Sequence, residues 1–445
     1  MKKIIARLIK MGHNRYDVII VGAGPAGSSA AILCAQNNLS VALIEKGKFP
    51  GSKNMFGGTI YSDVTAKIIP EFWKEAPLER AVASELLYLM EPSSFVQMGY
   101  SSYNFLKAPY NTFTIIRSRF DKWLAGKAEE AGAHLMNETL VEDLLYEKDG
   151  LISKKVGGIV LSDGSKIYSD IVILAEGAQG DLARKAGLRK KINSTYITLY
   201  VKEILSLPKE VIEARFNLEK DEGINIGMIG YPTAGTVGKG GIWTNKDSIS
   251  IIVGSYLNQM IENGLNPYQL LIRLKEHPRI KRLLAGAKTV EYLSKIIPKG
   301  GYRDIPSLYD DGILIAGDAG MLVSGRHGTD VAMLTGKYAA ETTVQAKAKG
   351  DFSKKALSSY ASKIQNSFFY QNLKNDQIAI NYKPDYSDSD FLISQMINEV
   401  AHEFFSEGDR SQKEKYNTII NEIKKVQPIK KTVDDFYQAI RNWRL

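Results

Sequence analysis

The sequence predicts an α/β protein: a parallel sheet carrying a nucleotide-binding loop, interrupted by a β-rich insertion and followed by a helical tail. Three observations predict it. A continuous apolar run, YDVIIV (16–21), leads directly into the glycine-rich GAGPAG (22–27). A helix-like stretch of small and apolar residues, SSAAILCAQNNL, and a second strand-like run, SVALIE (40–45), complete a β–turn–α–β unit between Tyr16 and Glu45. Further strand-like runs return only at IVILA (171–175), before Glu176-Gly177, and at GILIAGD (312–318).

The unbroken apolarity of 16–21 is the pattern of a strand covered on both faces, as parallel strands are. RSRFDKWLAGKAEEAGA (117–133) has a helical period, with Phe120, Trp123, Leu124 and Ala128 on one face. Residues 195–257 carry strand-like TYITLYV and SISIIVGSY around a turn-rich centre, GYPTAGTVGKGGIW. Residues 267–285 read as helical and basic, and after Asp351 the chain reads as mostly helical, with aromatic residues interleaved among polar ones. The expected division is a discontinuous nucleotide-binding domain over 14–80, 110–190 and 300–350, an inserted β-rich α+β substrate domain over 81–109 and 191–299, and a helical C-terminal region over 351–445.

Composition bounds the chemistry. The 445 residues include 58 Lys+Arg against 49 Asp+Glu, a net charge of +9, and are 44% hydrophobic, which excludes disorder as the main state. A single cysteine, Cys34, excludes a disulfide framework, and also a cysteine-ligated zinc or iron–sulfur centre held by this chain alone. The five histidines show no metal-ligand spacing, so no metal centre is expected. No uncharged apolar run approaches the ~18–20 residues that span a bilayer. The basic start, MKKIIARLIKMG, is broken by Arg7, lacks a small-residue cleavage site and is not read as a signal peptide. The basic balance suits an anionic membrane surface or an acidic partner; without a nucleic-acid motif, nucleic acid is not expected.

Gly22, Gly24 and Gly27 fill the three glycine positions of G-x-G-x-x-G, with Ala23, Pro25 and Ala26 between them. The first permits the tight strand-to-helix turn, the second lets backbone approach a pyrophosphate, and the third allows close packing of helix on strand. The phosphate then meets a helix N-terminus. Glu45, followed by Lys46, lies 18 residues beyond Gly27 at the end of the second strand, where a carboxylate accepts ribose hydroxyls and disfavours a 2′-phosphate. FAD and NAD both satisfy these residues.

Two features favour FAD through resemblance. Gly317-Asp318 after a late strand is similar to the ribityl-binding segment of glutathione-reductase-like (Rossmann-type) FAD proteins. Arg117-x-x-Phe120-Asp121 resembles a segment shared by aromatic hydroxylases and geranylgeranyl reductases. Read without the resemblance, Asp318 caps a helix and Arg117 makes a surface ion pair.

FPGSKNMFGGTIY (49–61), VKEILSLPKEVIEARFNLEKDEG (201–223), IIPKGGYRDIPSLYDDGILIAGDAG (296–320) and GTDVAMLTGKYAAE (328–341) together resemble the FixC group of the electron-transfer-flavoprotein:quinone oxidoreductase family, over roughly residues 14–385. The resemblance implies an FAD-dependent oxidoreductase that takes electrons from an electron-transfer flavoprotein pair of FixA/FixB type and passes them to a quinone, cytoplasmic and peripheral on the inner face of the cell membrane. It also implies a separate ferredoxin-like iron–sulfur subunit of FixX type, since larger relatives carry a cysteine-ligated cluster that this chain lacks.

Carried over residue by residue, the resemblance puts Gly22 to Gly27 on the pyrophosphate, Glu45 and Lys46 at the adenosine ribose, and Val141 at the adenine. Arg117, Gly317 and Asp318 go to the phosphate and ribityl region. Gly328 and Thr329 lie at the flavin's N1/C2 edge, and Gly57 and Gly58 against the isoalloxazine. Glu176 and Gly177 are also placed among the cofactor-binding residues; Glu176-Gly177 stands where many relatives have Asp-Gly, and Asp330 where many have Asn. Asp330 is expected either to lower the flavin potential or to cap its helix. His327 is the candidate proton donor, with a solvent-facing loop histidine as the plain alternative. A geranylgeranyl-reductase-like flavoenzyme, an aromatic hydroxylase and a non-catalytic flavin relay subunit are the competing functions.

Overall fold

The computed structural model describes residues 15–53, 58–149, 153–299, 302–323, 327–374, 389–406 and 410–426, with isolated positions at Gly408, Pro428, Lys430 and Lys431. Gly57, the basic start at 1–12, and Tyr382 and Tyr386 lie outside the described residues. The chain runs β1 (Arg15–Val21), α1 (Pro25–Gln36), β2 (Val41–Ile44), β3 (Leu78–Met90), β4 (Phe95–Ser101), β5 (Thr112–Ile115), α2 (Arg117–Glu130) and β6 (His134–Met136). It continues through β7 (Val141–Asp149), β8 (Ser153–Leu161), β9 (Lys166–Leu174), α3 (Asp181–Lys185), β10 (Ile197–Ser206), α4 (Lys209–Phe216), β11 (Glu222–Gly230), β12 (Gly238–Thr244) and β13 (Ser248–Tyr256). Then follow α5 (Pro267–Glu276), α6 (Pro278–Leu284), β14 (Lys288–Pro298), β15 (Tyr309–Asp310), β16 (Ile313–Ile315), α7 (Thr329–Lys349), α8 (Ser359–Gln365), α9 (Ser389–Phe405) and α10 (Gln412–Val426).

Contacts divide the chain into two compact units, one of 1–78, 115–192 and 298–374, the other of 79–114, 193–297 and 375–445. The helices after residue 351 are thus shared between them. In the first unit the sheet order is β15-β16-β9-β1-β2-β6, with β7 and β8 as an antiparallel extension from β9. Strands β16, β9, β1, β2 and β6 are parallel. Val18, Ile19 and Ile20 pair with Ile171, Val172 and Ile173, all fully buried, as their unbroken apolarity requires. Helix α7 lies so close to α1 that a Cβ on Gly336 would stand 2.1 Å from Ala26 O.

The second unit is built on a sheet ordered β14-β10-β13-β12-β11-β3-β5, with β4 paired to β3. Strands β3 and β11 run parallel, while β10–β13, β13–β12, β12–β11 and β3–β4 are antiparallel pairs. One face is covered by α4, α5 and α6, whose Phe216, Leu274 and Ile280 pack on Val201, Ile226, Ile242 and Ile251. Near β3 and β11, Leu87, Leu89 and Ile229 pack against Ile397 of α9. Asn398 secures that helix: its amide donates to Leu89 O at 2.9 Å, and its Oδ1 accepts from Ser94 Oγ at 2.8 Å.

The helix expected over 267–285 is two helices. His277, followed by Pro278, is extended (ψ 131°) and divides α5 from α6. Its Nδ1 accepts the Arg279 N–H at 3.2 Å as the N-cap of α6, which leaves Nε2–H to donate to Glu91 O at 2.9 Å. Arg80, 1% exposed, donates Nε to Asn245 O at 2.6 Å, Nη1 to Glu213 Oε1 at 2.9 Å and Glu222 O at 3.0 Å, and Nη2 to Lys246 O at 3.1 Å. Among the described residues no helix is long and apolar enough to cross a membrane.

Candidate functional site

The glycine loop leaves β1 at Gly22, whose φ of +103° only glycine adopts without strain. A Cβ there would lie 2.3 Å from Ala175 O, and one on Gly27 would lie 1.9 Å from Gly22 O. Both glycines are therefore demanded by close backbone approach. Gly24 differs: φ is −76°, and a Cβ would meet nothing within 4 Å. Its Cα faces open space at the N-cap of α1, where no side chain caps the helix and Pro25 occupies the first turn. The first intrahelical bond runs from Ser28 N–H to Gly24 O at 2.9 Å, so the N–H groups of Ala26 and Gly27 precede the helical ladder. That is an anion site of the kind a pyrophosphate occupies.

Glu45 stands beside this turn. Its Oε2 accepts the Ala23 N–H at 3.2 Å and its Oε1 the Gly47 N–H at 2.6 Å. A carboxylate offers about four acceptor positions, so capacity remains for ribose hydroxyls. Thr139 N–H bonds Glu45 O at 2.9 Å, bringing the start of β7, with buried Val141, next to this corner. Lys46 is exposed and donates to Gln179 Oε1 at 3.3 Å.

Arg117 opens α2, and Asp121, one turn on, grips its guanidinium through Nε–Oδ1 at 2.7 Å and Nη2–Oδ2 at 2.8 Å, both residues buried. R-x-x-F-D was singled out by resemblance; its i,i+4 spacing carries this pairing, which is buried rather than the surface ion pair the plain reading of Arg117 expected. Burial alone would lower the Arg117 pKa, but the Asp121 carboxylate, and then Asp318, outweigh it and raise it. Nη1 faces Thr329 Oγ1 at 3.5 Å, so Arg117 and the start of α7 come together. Gly58 is buried and its carbonyl accepts the Ile115 N–H at 2.8 Å.

Gly317 (φ +66°) places the turn after β16 against α1, where a Cβ would lie 3.1 Å from the Ala26 side chain; its N–H donates to Thr335 Oγ1 at 3.0 Å. Half-buried Asp318 makes no side-chain hydrogen bond among the described residues and faces the charges of Arg117 and Arg189. Arg189 went unnoticed in the sequence. It ties this turn down, donating to Ala319 O at 2.9 Å and Ala178 O at 2.8 Å.

Glu176 is engaged locally: its oxygens accept the N–H groups of Leu182 (3.0 Å) and Ala183 (2.8 Å), capping α3, while burial holds its pKa above the usual carboxylate value. Gly177 follows with φ +78° and open space at its Cα.

Gly328 is the N-cap of α7 and Thr329 its first residue, again without a side-chain cap. His327 precedes them. Its Nδ1 lies 2.6 Å from Asp330 Oδ2, and its ring lies against Tyr61 (centroids 4.6 Å) and edge-on to Phe368 (5.6 Å). The sequence reading treated His327 and Asp330 separately; the structure pairs them and sets two aromatic rings against the imidazole.

Comparison with known proteins follows the same lines. Residues 17–197 match the FAD dependent oxidoreductase family, and residues 392–444 match the ETF-QO/FixC family C-terminal domain. The chain is 37% identical over 438 residues to the FixC protein of Bradyrhizobium diazoefficiens, covering 98% of this chain and all of that one. It is 43% identical over 363 residues to FixC of Azotobacter vinelandii, covering 81% and 83% of the two chains. Among solved structures it resembles a geranylgeranyl bacteriochlorophyll reductase-like protein of Thermoplasma acidophilum, at TM-score 0.71 and 19% identity over 95% of this chain and 99% of that one, a likeness of fold.

Proposed function

The chain belongs to the ETF-QO/FixC family and is an FAD-dependent oxidoreductase, and from that premise we propose that it takes electrons from an electron-transfer flavoprotein pair of FixA/FixB type and passes them to a membrane quinone. The observation that carries the proposal is full-length similarity to FixC proteins combined with a dinucleotide cradle whose groups suit FAD: an uncapped helix start at Gly24, the Glu45 carboxylate beside that turn and the Asp318 carboxylate facing Arg117 and Arg189.

When bound, FAD supplies the redox chemistry. Residues 22–27 hold its pyrophosphate; Glu45, Lys46 and Val141 take the adenosine end. Arg117, fixed by Asp121, and Gly317-Asp318 take the ribityl and phosphate region. Thr329 and Gly328 present the start of α7, with its N-terminal dipole, to the edge where negative charge accumulates on reduction. Gly57 and Gly58 let backbone approach the ring face. Glu176 and Gly177 act one layer behind, by fixing the turn after β9.

An iron–sulfur subunit of ferredoxin-like, FixX type completes the relay, because one cysteine cannot ligate a cluster and Cys34 is buried, its thiol pushed up to about 12. Attachment is peripheral, on the cytoplasmic side of the membrane. In the second unit Tyr268 and Tyr292 stack at 5.1 Å, with Ile272 (62% exposed) one turn along α5 and Val290 (66%) two residues along β14. Residues 257–299 carry eight Lys/Arg against three Glu, a surplus suited to anionic lipid.

The test is anaerobic mixing of the FAD-loaded chain with reduced electron-transfer flavoprotein and then a soluble quinone analogue. Bleaching of the flavin by the donor and its recovery with quinone are expected. A flavin that ignores the donor but, once reduced chemically, is reoxidised by geranylgeranyl substrates would move the function to isoprenoid reduction.

A further inference from the structure

We propose that Asp330 is a positioning residue that holds His327 as proton donor to the quinone at this site, an assignment that rests on the quinone reading above and deepens it. Asp330 is the second residue of α7 and 1% exposed, and its helix start has no side-chain cap. A carboxylate in a first helical turn ordinarily serves its own helix. This one accepts from His327 Nδ1 at 2.6 Å instead.

An ionised carboxylate only accepts, so Nδ1 carries the hydrogen, and Nε2 is the nitrogen that gains and loses a proton. Tyr61, with ring planes 38° apart, and the edge of Phe368 confine the imidazole. The His327 side chain stays 27% exposed, a path for solvent to return a proton. Thr329, two residues on, meets Arg117 of α2, which is itself held by Asp121 and faces Asp318 of the 317–320 turn. Among the described residues the charged groups traced here around the loop are the Arg117 guanidinium and the Asp121, Asp318 and Asp330 carboxylates, and Asp330 is the one in contact with the ring.

The step balances. A quinone gains two electrons and two protons to become the quinol; the electrons come from the reduced flavin. The Nε2–H bond of His327 breaks as an O–H bond forms on one quinone oxygen. The other oxygen takes its proton from solvent, which also reprotonates the neutral imidazole, while Nδ1 keeps its hydrogen and goes on donating it to Asp330 Oδ2. The paired carboxylate fixes the ring and keeps its donor nitrogen aimed.

The experiment uses the FAD-loaded full chain, reduced electron-transfer flavoprotein and a soluble quinone analogue. H327Q is expected to slow quinol formation about a hundredfold, in line with loss of a general acid, and D330N about tenfold. Added imidazole restores the rate of H327G but not of the double variant H327G/D330N. Independently of turnover, nitrogen NMR of histidine-labelled chain shows His327 protonated at Nδ1 in the wild type and redistributed toward Nε2 in D330N. A wild type that reduces no quinone overturns the functional reading. A wild type that does so, with H327Q at the wild-type rate or a tautomer unchanged in D330N, overturns this proposal alone; should D330N not fold, H327Q and imidazole rescue decide it.

Discussion

The first unit holds its site with backbone packed where side chains cannot go. A Cβ on Gly27 would stand 1.9 Å from Gly22 O, one on Gly22 2.3 Å from Ala175 O, and one on Gly336 2.1 Å from Ala26 O. The second unit holds its loops with buried polar side chains that reach across sequence. Arg80 binds three carbonyls, at Glu222, Asn245 and Lys246, and the Glu213 carboxylate; His277 joins a helix start to Glu91; Asn398 ties α9 to β3. The difference follows from the work each unit does. A dinucleotide is gripped by main-chain N–H groups and needs helices and strands at closest approach. A broad mixed sheet with long connections leaves carbonyls that need donors from elsewhere.

Mutations can break the comparison on either side. Arg80→Ala strips the buried carbonyls of Glu222, Asn245 and Lys246 of their donor and leaves Glu213 with only the longer Lys209 contact at 3.9 Å; a loss of about 3–5 kcal/mol is expected in denaturant titration. At a temperature where the variant stays folded, FAD binding persists, because no cradle residue is touched. Gly27→Ala does the reverse. It forces apart backbone now in contact and is expected to cost about 3 kcal/mol and to abolish flavin retention, read by flavin absorbance after gel filtration.

A smaller effect comes from His277. Burial lowers its pKa below 6.5, so in acid the unfolded chain binds a proton that the folded chain resists. Its contribution is fully present above about pH 6.5 and is lost as pH falls through the lowered folded value. Protonation also removes the lone pair that caps α6. Thermal melts from neutral to mildly acid pH are expected to show this loss, about 1 kcal/mol for the cap, and His277→Asn, a cap that does not titrate, to flatten it. Smallest is the exposed Lys281–Glu276 pair, where Lys281→Ala is expected to change stability by less than about 0.5 kcal/mol. A larger change there would mean that surface charge, not the buried network, carries the second unit.

What was legible in the sequence follows the same divide. GAGPAG, Glu45, R-x-x-F-D and Gly317-Asp318 encode their geometry over a few residues, and each appears where its spacing requires. The break at His277 was missed in reading 267–285 as helical, although the residue before a proline is biased out of the helical region. Arg80 was not legible, because its partners lie 133 to 166 residues away. Nor was the Asn398–Leu89 bond, across 309 positions. Tyr61 and Phe368 flank His327 from opposite ends of the first unit's sequence, so no local pattern brings them together.

The most direct test of the central claim, that the 22–27 turn is where FAD's pyrophosphate lies, is a calorimetric titration of the apo chain with FAD in wild type and Gly24→Ala. The added methyl meets nothing in the protein, and the backbone there suits any residue. Apo stability is expected within about 0.5 kcal/mol of wild type. FAD affinity is expected to fall at least about tenfold, some 1.4 kcal/mol. Unchanged affinity in a fully folded Gly24→Ala chain would place the pyrophosphate elsewhere.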